Sequence, residues 1–295
     1  MSPIDQNQRY NKPKIRLQYG PRYKLVEAQV RKHGLNTVCE EARCPNIYEC
    51  WGRGTATIMI LGNTCTRSCA FCSVKTGRPE YVDPTEPLRT ARAVKSMNLS
   101  HIVITSVDRD DLKGDFGARH WAETITKVRE LVPQCTIEVL TPDFQGSGKA
   151  LEIVLETRPD IFSHNVECVA RISKQVRSQA VWQRSLNVLK QSVESGILTK
   201  TGIMLGLGER PSEVVETMEE VAGLGVKIFT IGQYLQPTRQ HLKVDRYADR
   251  AEFEEYGKIG QELGFLAVES GALVRSSYHA DEQAKLFKFN GSDYA

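Results

Sequence analysis

The sequence predicts an α/β fold in which strand–helix units wind into a partial barrel. Three observations carry that prediction. Short apolar runs alternate with helical stretches six times between residues 57 and 232. Each run ends in a polar or turn-forming segment, as strands of a parallel sheet do. A chain of 295 residues can bury one large domain, but six units fall short of the eight that close a full barrel. Right-handed crossovers would curl such a parallel sheet toward a barrel. The expected architecture is a partial (β/α)6 TIM-like barrel, open on one side, with an N-terminal and a C-terminal extension. A flat doubly wound sheet is the alternative that periodicity leaves open.

The strands are read at Thr57–Leu61, His101–Ser106, Thr136–Leu140, Ile161–His164, Thr201–Leu205 and Lys227–Gly232. Val, Ile and Thr dominate them, as suits short strands. Helices are clearest at Ala118–Leu131, where Trp121, Ile125, Val128 and Leu131 share a face, and at Pro211–Leu224. In the second, Val214, Met218, Val221 and Leu224 repeat at helical spacing, Pro211 and Ser212 start the helix, and Gly225 stops it. Beyond the strands come Asn63-Thr64-Cys65, Ser106-Val107-Asp108, Thr141-Pro142-Asp143, His164-Asn165-Val166-Glu167, Gly206-Leu207-Gly208-Glu209 and Gln233-Tyr234. Parallel α/β folds build their active sites at the C-terminal ends of strands. Taken singly, each of these residues serves equally well as a strand cap or helix start.

Six of the eight cysteines lie between residues 39 and 72, in two groups of three. The first is Cys39-x4-Cys44-x5-Cys50 and the second Cys65-x3-Cys69-x2-Cys72. A cubane iron–sulfur cluster has four irons, each needing an outside ligand. Three thiolates leave one iron open to something other than cysteine, which points to catalysis rather than electron storage. Zinc stays open as an alternative, although Cys69-x2-Cys72 has no matching pair and His33 is the only nearby histidine. Disulfides suit an oxidising compartment, and Met1–Arg22 carries no apolar signal. A thioredoxin-like reading of Cys69-Ala70-Phe71-Cys72 leaves Cys65 unexplained. The second group leaves the first strand, so it should sit at the barrel mouth.

Composition narrows the function further. At 40% hydrophobic and 25% charged the chain is ordinary globular protein. No apolar run nears the roughly 20 residues that span a bilayer, so no membrane partner is expected. A net charge of +3 does not suggest nucleic acid. Residues 9–32 carry Arg9, Lys12, Lys14, Arg16, Arg22, Lys24, Arg31 and Lys32 against Glu27 alone. That arm is either a solvated terminus or a docking surface for an acidic protein. With no transit pattern, a cytoplasmic location is expected.

The run from Cys65 to Cys72, with Phe71 before the last cysteine, resembles the signature of radical S-adenosylmethionine (SAM) enzymes. The upstream residues Glu40 to Asn46, the run Glu49-Cys50-Trp51-Gly52 and the C-terminal Arg275-Ser276-Ser277-Tyr278 narrow this to a resemblance to the lipoyl synthase family. So do the runs Thr105 to Leu112, Thr199 to Glu209 and Gly232 to Tyr247. The match covers about residues 36–282. Lys113 to Phe116 departs from the usual glycine-rich turn, and Cys168 and Cys135 are read as structural thiols.

The resemblance implies two 4Fe–4S clusters. Cys65, Cys69 and Cys72 would hold the one that cleaves SAM. Cys39, Cys44 and Cys50, with Ser277 (or Ser276 as fallback), would hold an auxiliary cluster that donates sulfur. It implies that two SAM molecules per product open C6 and C8 of an octanoyl chain on a carrier lysine to sulfur. Serine oxygen is a harder ligand than thiolate, so its corner should open first. Arg275 would balance the auxiliary cluster's charge or help the serine leave. Ser106, Asn165 and Glu167 would contact SAM. The partners implied are an octanoylated lipoyl carrier protein or domain and an electron donor such as ferredoxin or flavodoxin. The expected division is 1–54 for the cluster-binding N-terminal extension, 55–235 for the barrel and 236–295 for the C-terminal extension. A biotin-synthase-like sulfur inserter and a zinc-dependent binding module are the other classes weighed.

Overall fold

The computed structural model describes residues 19–42, 44–278, 280 and 282–284. Arg9, Lys12, Lys14, Arg16 and Arg43 lie outside the described residues. The strands in chain order are β1 (Asn36–Thr37), β2 (Thr57–Ile60), β3 (Thr64–Cys65), β4 (Lys75–Thr76), β5 (His101–Ser106) and β6 (Thr136–Leu140), followed by β7 (Ile161–Ser163), β8 (Leu198–Leu205), β9 (Ile228–Gln233) and β10 (Ala267–Ser270). Among the described residues, eight of these form one sheet in the order β1-β2-β5-β6-β7-β8-β9-β10. All its pairings are parallel except β1 with β2.

That order decides between the two architectures. A doubly wound sheet reverses its strand order at a switch point; here every parallel strand is added on the same side as the last. Singly wound units with one handedness curl the sheet into an arc, with β1 and β10 at its two edges. The chain is therefore an α/β partial barrel. All six expected strands are present, and β10 adds a seventh parallel one beyond β9. Its four residues are half-buried and include Glu269 and Ser270, so it carries little apolar signal.

Central strands are buried on both faces, which is why they read as near-continuous apolar runs. The helices bury one stripe each. In Pro211–Gly223, Val214, Met218 and Val221 face the core, each worth about 1.5–3 kcal/mol of burial. Glu213 closes the start of that helix by accepting the Arg210 N–H at 2.8 Å. Gly225 ends the run at φ +92°, a region a side chain would strain, with Val193 against its α-carbon.

Candidate active site

Two plans of construction meet at the ends of β2. At its C-terminal end Leu61 takes φ +66°, an uncommon conformation for leucine. It is pinned there: Glu86 accepts its N–H at 2.7 Å, and Arg109 donates to its carbonyl at 3.2 Å. The chain then turns out through Gly62 into the cysteine loop. β3 pairs with β4, so Cys65 and Thr76 tie the two stems of that loop together. The tip is held from outside. The Ala70 N–H donates to the Val176 carbonyl at 2.9 Å, the Leu242 N–H to the Ala70 carbonyl at 3.1 Å, and His241 hydrogen-bonds the Cys72 carbonyl at 3.0 Å.

Arg67, inside the loop, clamps it to the neighbouring strand ends. Its guanidinium is 4% exposed and pairs with Asp108 at 3.2 Å, Asp110 at 2.7 Å and Asp143 at 2.6 Å. Burial alone would raise the Asp143 carboxyl, but Arg67 holds it down at about 2. Burial outweighs Arg67 at Asp108, whose carboxyl is pushed up to about 6. Burial also pushes the Cys65 and Cys69 thiols up to about 12, with Asp108 adding to the effect at Cys65 and Arg177 opposing it at Cys69. A thiol this reluctant to ionise becomes a thiolate only beside a bound cation, which inverts the local balance.

The expected SAM contacts gather at this same end. Ser106 Oγ and Asn165 Oδ1 are buried with no hydrogen-bond partner among the described residues. Buried polar atoms left unpaired are unfavourable unless a ligand completes them. Glu167 sits at φ +69°, hydrogen-bonded by Asn165, and burial holds its carboxyl above the ordinary range. Sequence reasoning missed Arg177. It is buried, donates to the carbonyls of Asn165 and Val166 at 3.1 Å, and its charge bears on Cys69, Asp108 and Glu167. Nothing in its surroundings in the sequence marks it, because it follows a short helix rather than a strand.

The first cysteine group lies at the other end of β2. Cys39 is in the short helix Val38–Glu41, capped by Thr37, and Cys50 is in the helix Ile47–Arg53. With Cys44 they line a small cavity, whose wall includes Thr57, His101, Arg275 and Ser277. Thr57 and His101 are the first residues of β2 and β5. Four residues of strand at about 3.3 Å each separate this end from the exit to Cys65. The two groups, close in sequence, therefore stand at opposite ends of the barrel wall.

Ser277 lines the cavity, and Ser276 is not among its described lining residues. Burial raises all three thiols, Cys39 to about 12 and Cys50 further. Burial lowers the Arg275 guanidinium, with Cys44 opposing the effect. All eight cysteines are free thiols, which removes the disulfide reading. Among the described residues no three His, Cys, Asp or Glu side chains stand close enough to share one metal ion. Three thiols and a hydroxyl around one cavity, beside the half-buried Arg275, have the donor chemistry for an anionic cluster. His101 was read only as the start of a strand and not as part of a site wall.

Residues 59–221 match the Radical SAM superfamily. Lipoyl synthase of Phocaeicola vulgatus is 53% identical to the chain, over 92% of this chain and 95% of its own length. The mitochondrial lipoyl synthase of Nematostella vectensis is also 53% identical, over 92% and 94%. The lipoyl synthase of Christiangramia forsetii is 50% identical over 96% and 98%. The chain belongs to the lipoyl synthase family. It is thus a radical SAM enzyme, and that superfamily brings with it a 4Fe–4S cluster and SAM.

Solved structures agree with this lipoyl synthase family member in fold alone. SuiB of Streptococcus suis, bound to S-adenosylmethionine, superposes with a TM-score of 0.59 at 12% identity, covering 77% of this chain and 54% of SuiB. Methylornithine synthase gives 0.56 at 11% identity, covering 92% and 83%. No helix among the described residues is long and apolar enough to cross a membrane.

Proposed function

We propose that the chain inserts two sulfur atoms, at C6 and C8, into an octanoyl group carried on a lysine of a lipoyl carrier protein or domain. The observation that carries this reading is the cavity shared by Cys39, Cys44, Cys50, Arg275 and Ser277, at the end of the barrel wall opposite Cys65, Cys69 and Cys72. When bound, a 4Fe–4S cluster on Cys65, Cys69 and Cys72 would supply the electron that cleaves SAM, and one on Cys39, Cys44, Cys50 and Ser277 the sulfur. Ser106 Oγ and Asn165 Oδ1 offer unpaired polar atoms to the nucleoside and amino acid parts of SAM. Arg177, with its charge toward Glu167 and Cys69, suits the SAM carboxylate. Among the described residues Arg275 is the one arginine or lysine on the cavity wall of the first group, and it offsets anionic charge there.

On this reading the octanoyl chain would lie between the two ends. A flexible methylene must be held at near-contact distance, and tethering to a carrier raises its effective concentration. The chain thereby serves an octanoylated carrier and takes electrons from a small donor of the ferredoxin or flavodoxin class. Residues 1–54 act as an extension to a barrel of residues 55–235, and the C-terminal segment 236–295 extends it further while lending β10 to the edge of its sheet. Anaerobic turnover of the reconstituted protein with SAM, a reductant and an octanoyl-lysine peptide tests this by mass spectrometry. Two added sulfur atoms with deoxyadenosine are expected. Deoxyadenosine without sulfur, from protein holding both clusters, would sink the sulfur-insertion reading.

A further inference from the structure

One side chain of the C-terminal segment reaches under the barrel. Gln283 is 1% exposed. Its Oε1 accepts a hydrogen bond from Lys200 Nζ at 2.7 Å, and its Nε2 donates to the Tyr278 carbonyl at 3.4 Å. Lys200 in β8 is wholly buried, as is Glu138 in β6. Their Nζ and Oε1 lie 3.0 Å apart. His101, on the cavity wall, stands 3.8 Å from the other carboxylate oxygen. Ala284 packs with Ile161 and Ile228 from the same ends of β7 and β9.

A buried ion pair adds little net stability, because apolar residues of similar volume often do as well or better. Its best-attested use is to fix register. Register matters here because Ser276 and Ser277 are neighbours, and a one-residue slip of the segment would exchange them. Such a slip would also move Gln283 off Lys200 and Ala284 off its apolar seat.

We propose that Glu138 and Lys200, gripped by Gln283, form a register latch that holds Ser277 rather than Ser276 at the cavity of Cys39, Cys44 and Cys50. This rests on the reading of Ser277 as the fourth ligand of that group. Glu138, Lys200 and Gln283 are positioning residues, since none of them lines the cavity. The amide of Gln283 links the barrel lysine to the residue next to Ser277, and an apolar side chain there would leave a buried ammonium proton unpaired.

The test uses full-length protein with Cys65, Cys69 and Cys72 replaced by Ala, so that only the first group can take a cluster. After anaerobic reconstitution, iron, sulfide, Mössbauer and EPR spectra are read. Ser277→Ala should lose one iron and give a three-iron signal. Gln283→Leu should give that signal in part and make the cluster newly sensitive to Ser276→Ala. Gln283→Glu, which keeps an acceptor for Lys200 but loses the donor to the Tyr278 carbonyl, should fall between Gln283→Leu and the parent in iron content. In Gln283→Leu the amides of 273–278 should exchange hydrogen about tenfold faster. The apolar pair Glu138→Leu with Lys200→Met should lose the iron while Tm holds or rises, a split that a merely structural role would not produce. A full four-iron spectrum in Gln283→Leu, still dependent on Ser277, overturns the latch. A silent Ser277→Ala overturns the ligand reading and the latch with it.

Discussion

The loop from Cys65 to Cys72 is held by charge, whereas the cavity of Cys39, Cys44 and Cys50 is held by the two extensions meeting each other. Around the loop, one arginine satisfies three carboxylates carried on strand ends. Around the cavity, Asn46 donates to the Leu273 carbonyl at 2.6 Å and the Tyr278 hydroxyl donates to Glu49 at 3.1 Å. The first frame is anchored just beyond the ends of β5 and β6. The second joins segments far apart in sequence, each ordered by its partner. On the proposed reading, the group that would cleave SAM at every turnover sits in the clamped frame, and the group whose cluster would be spent sits where the two extensions meet.

The sharpest break in this comparison comes from removing one cysteine at each end. Cys69→Ala should abolish deoxyadenosine formation and sulfur insertion together, whereas Cys50→Ala should abolish only the second. Full lipoyl product from Cys50→Ala would mean that the first group is not the sulfur source. Next in size is Ser277→Ala. Sulfur insertion should fall by about 10–100-fold, the scale set by losing support around a metal, with deoxyadenosine release nearly unchanged. Ser276→Ala should resemble the parent protein in the same assay, and equal losses in both variants would contradict the cavity geometry.

Arg67→Met tests the rigid frame. It leaves Asp108, Asp110 and Asp143 facing one another, and stability should drop by about 3–5 kcal/mol, as for other broken buried pairs. Denaturant unfolding measures this, and an unchanged midpoint would show that the loop does not depend on the clamp. The smallest effect is on acid stability. Asp143 is depressed to about 2 in the folded chain. Its contribution is therefore present above the ordinary unfolded value of about 3.9 and is lost as pH falls toward 2, amounting to about 2 kcal/mol. Asp143→Asn should flatten the fall in stability between those limits. An unaltered slope in urea titrations would place the acid sensitivity elsewhere.

Much of this was legible in the chain itself. β5 and β6 have the expected bounds because β-branched runs between turn residues leave few other choices. The cysteine spacings named both groups, and Ser106, Asn165 and Glu167 stand at or just past the C-terminal ends of β5 and β7, with Glu167 close enough to act on Cys69 and Cys72. β10 escaped because an edge strand with Glu269 and Ser270 shows no apolar alternation. Arg177 and Lys200 escaped because a basic residue is ordinarily read as solvated, and only packing reveals that each is buried.

Ligand chemistry and the winding of the fold are local matters, set by residue type and by period, so the sequence by itself determined them. It determined the two thiol groups, the strand–helix alternation and the serine pair. Distance across the barrel is not a local matter. Only the tertiary structure put Cys50 and Cys65 at opposite ends of β2, brought Arg275 and Ser277 to the cavity of Cys39, and left Ser276 out of that wall. The physical reason is that a strand carries the chain away in a straight line, while the closing contacts come from packing between segments more than two hundred residues apart in the chain.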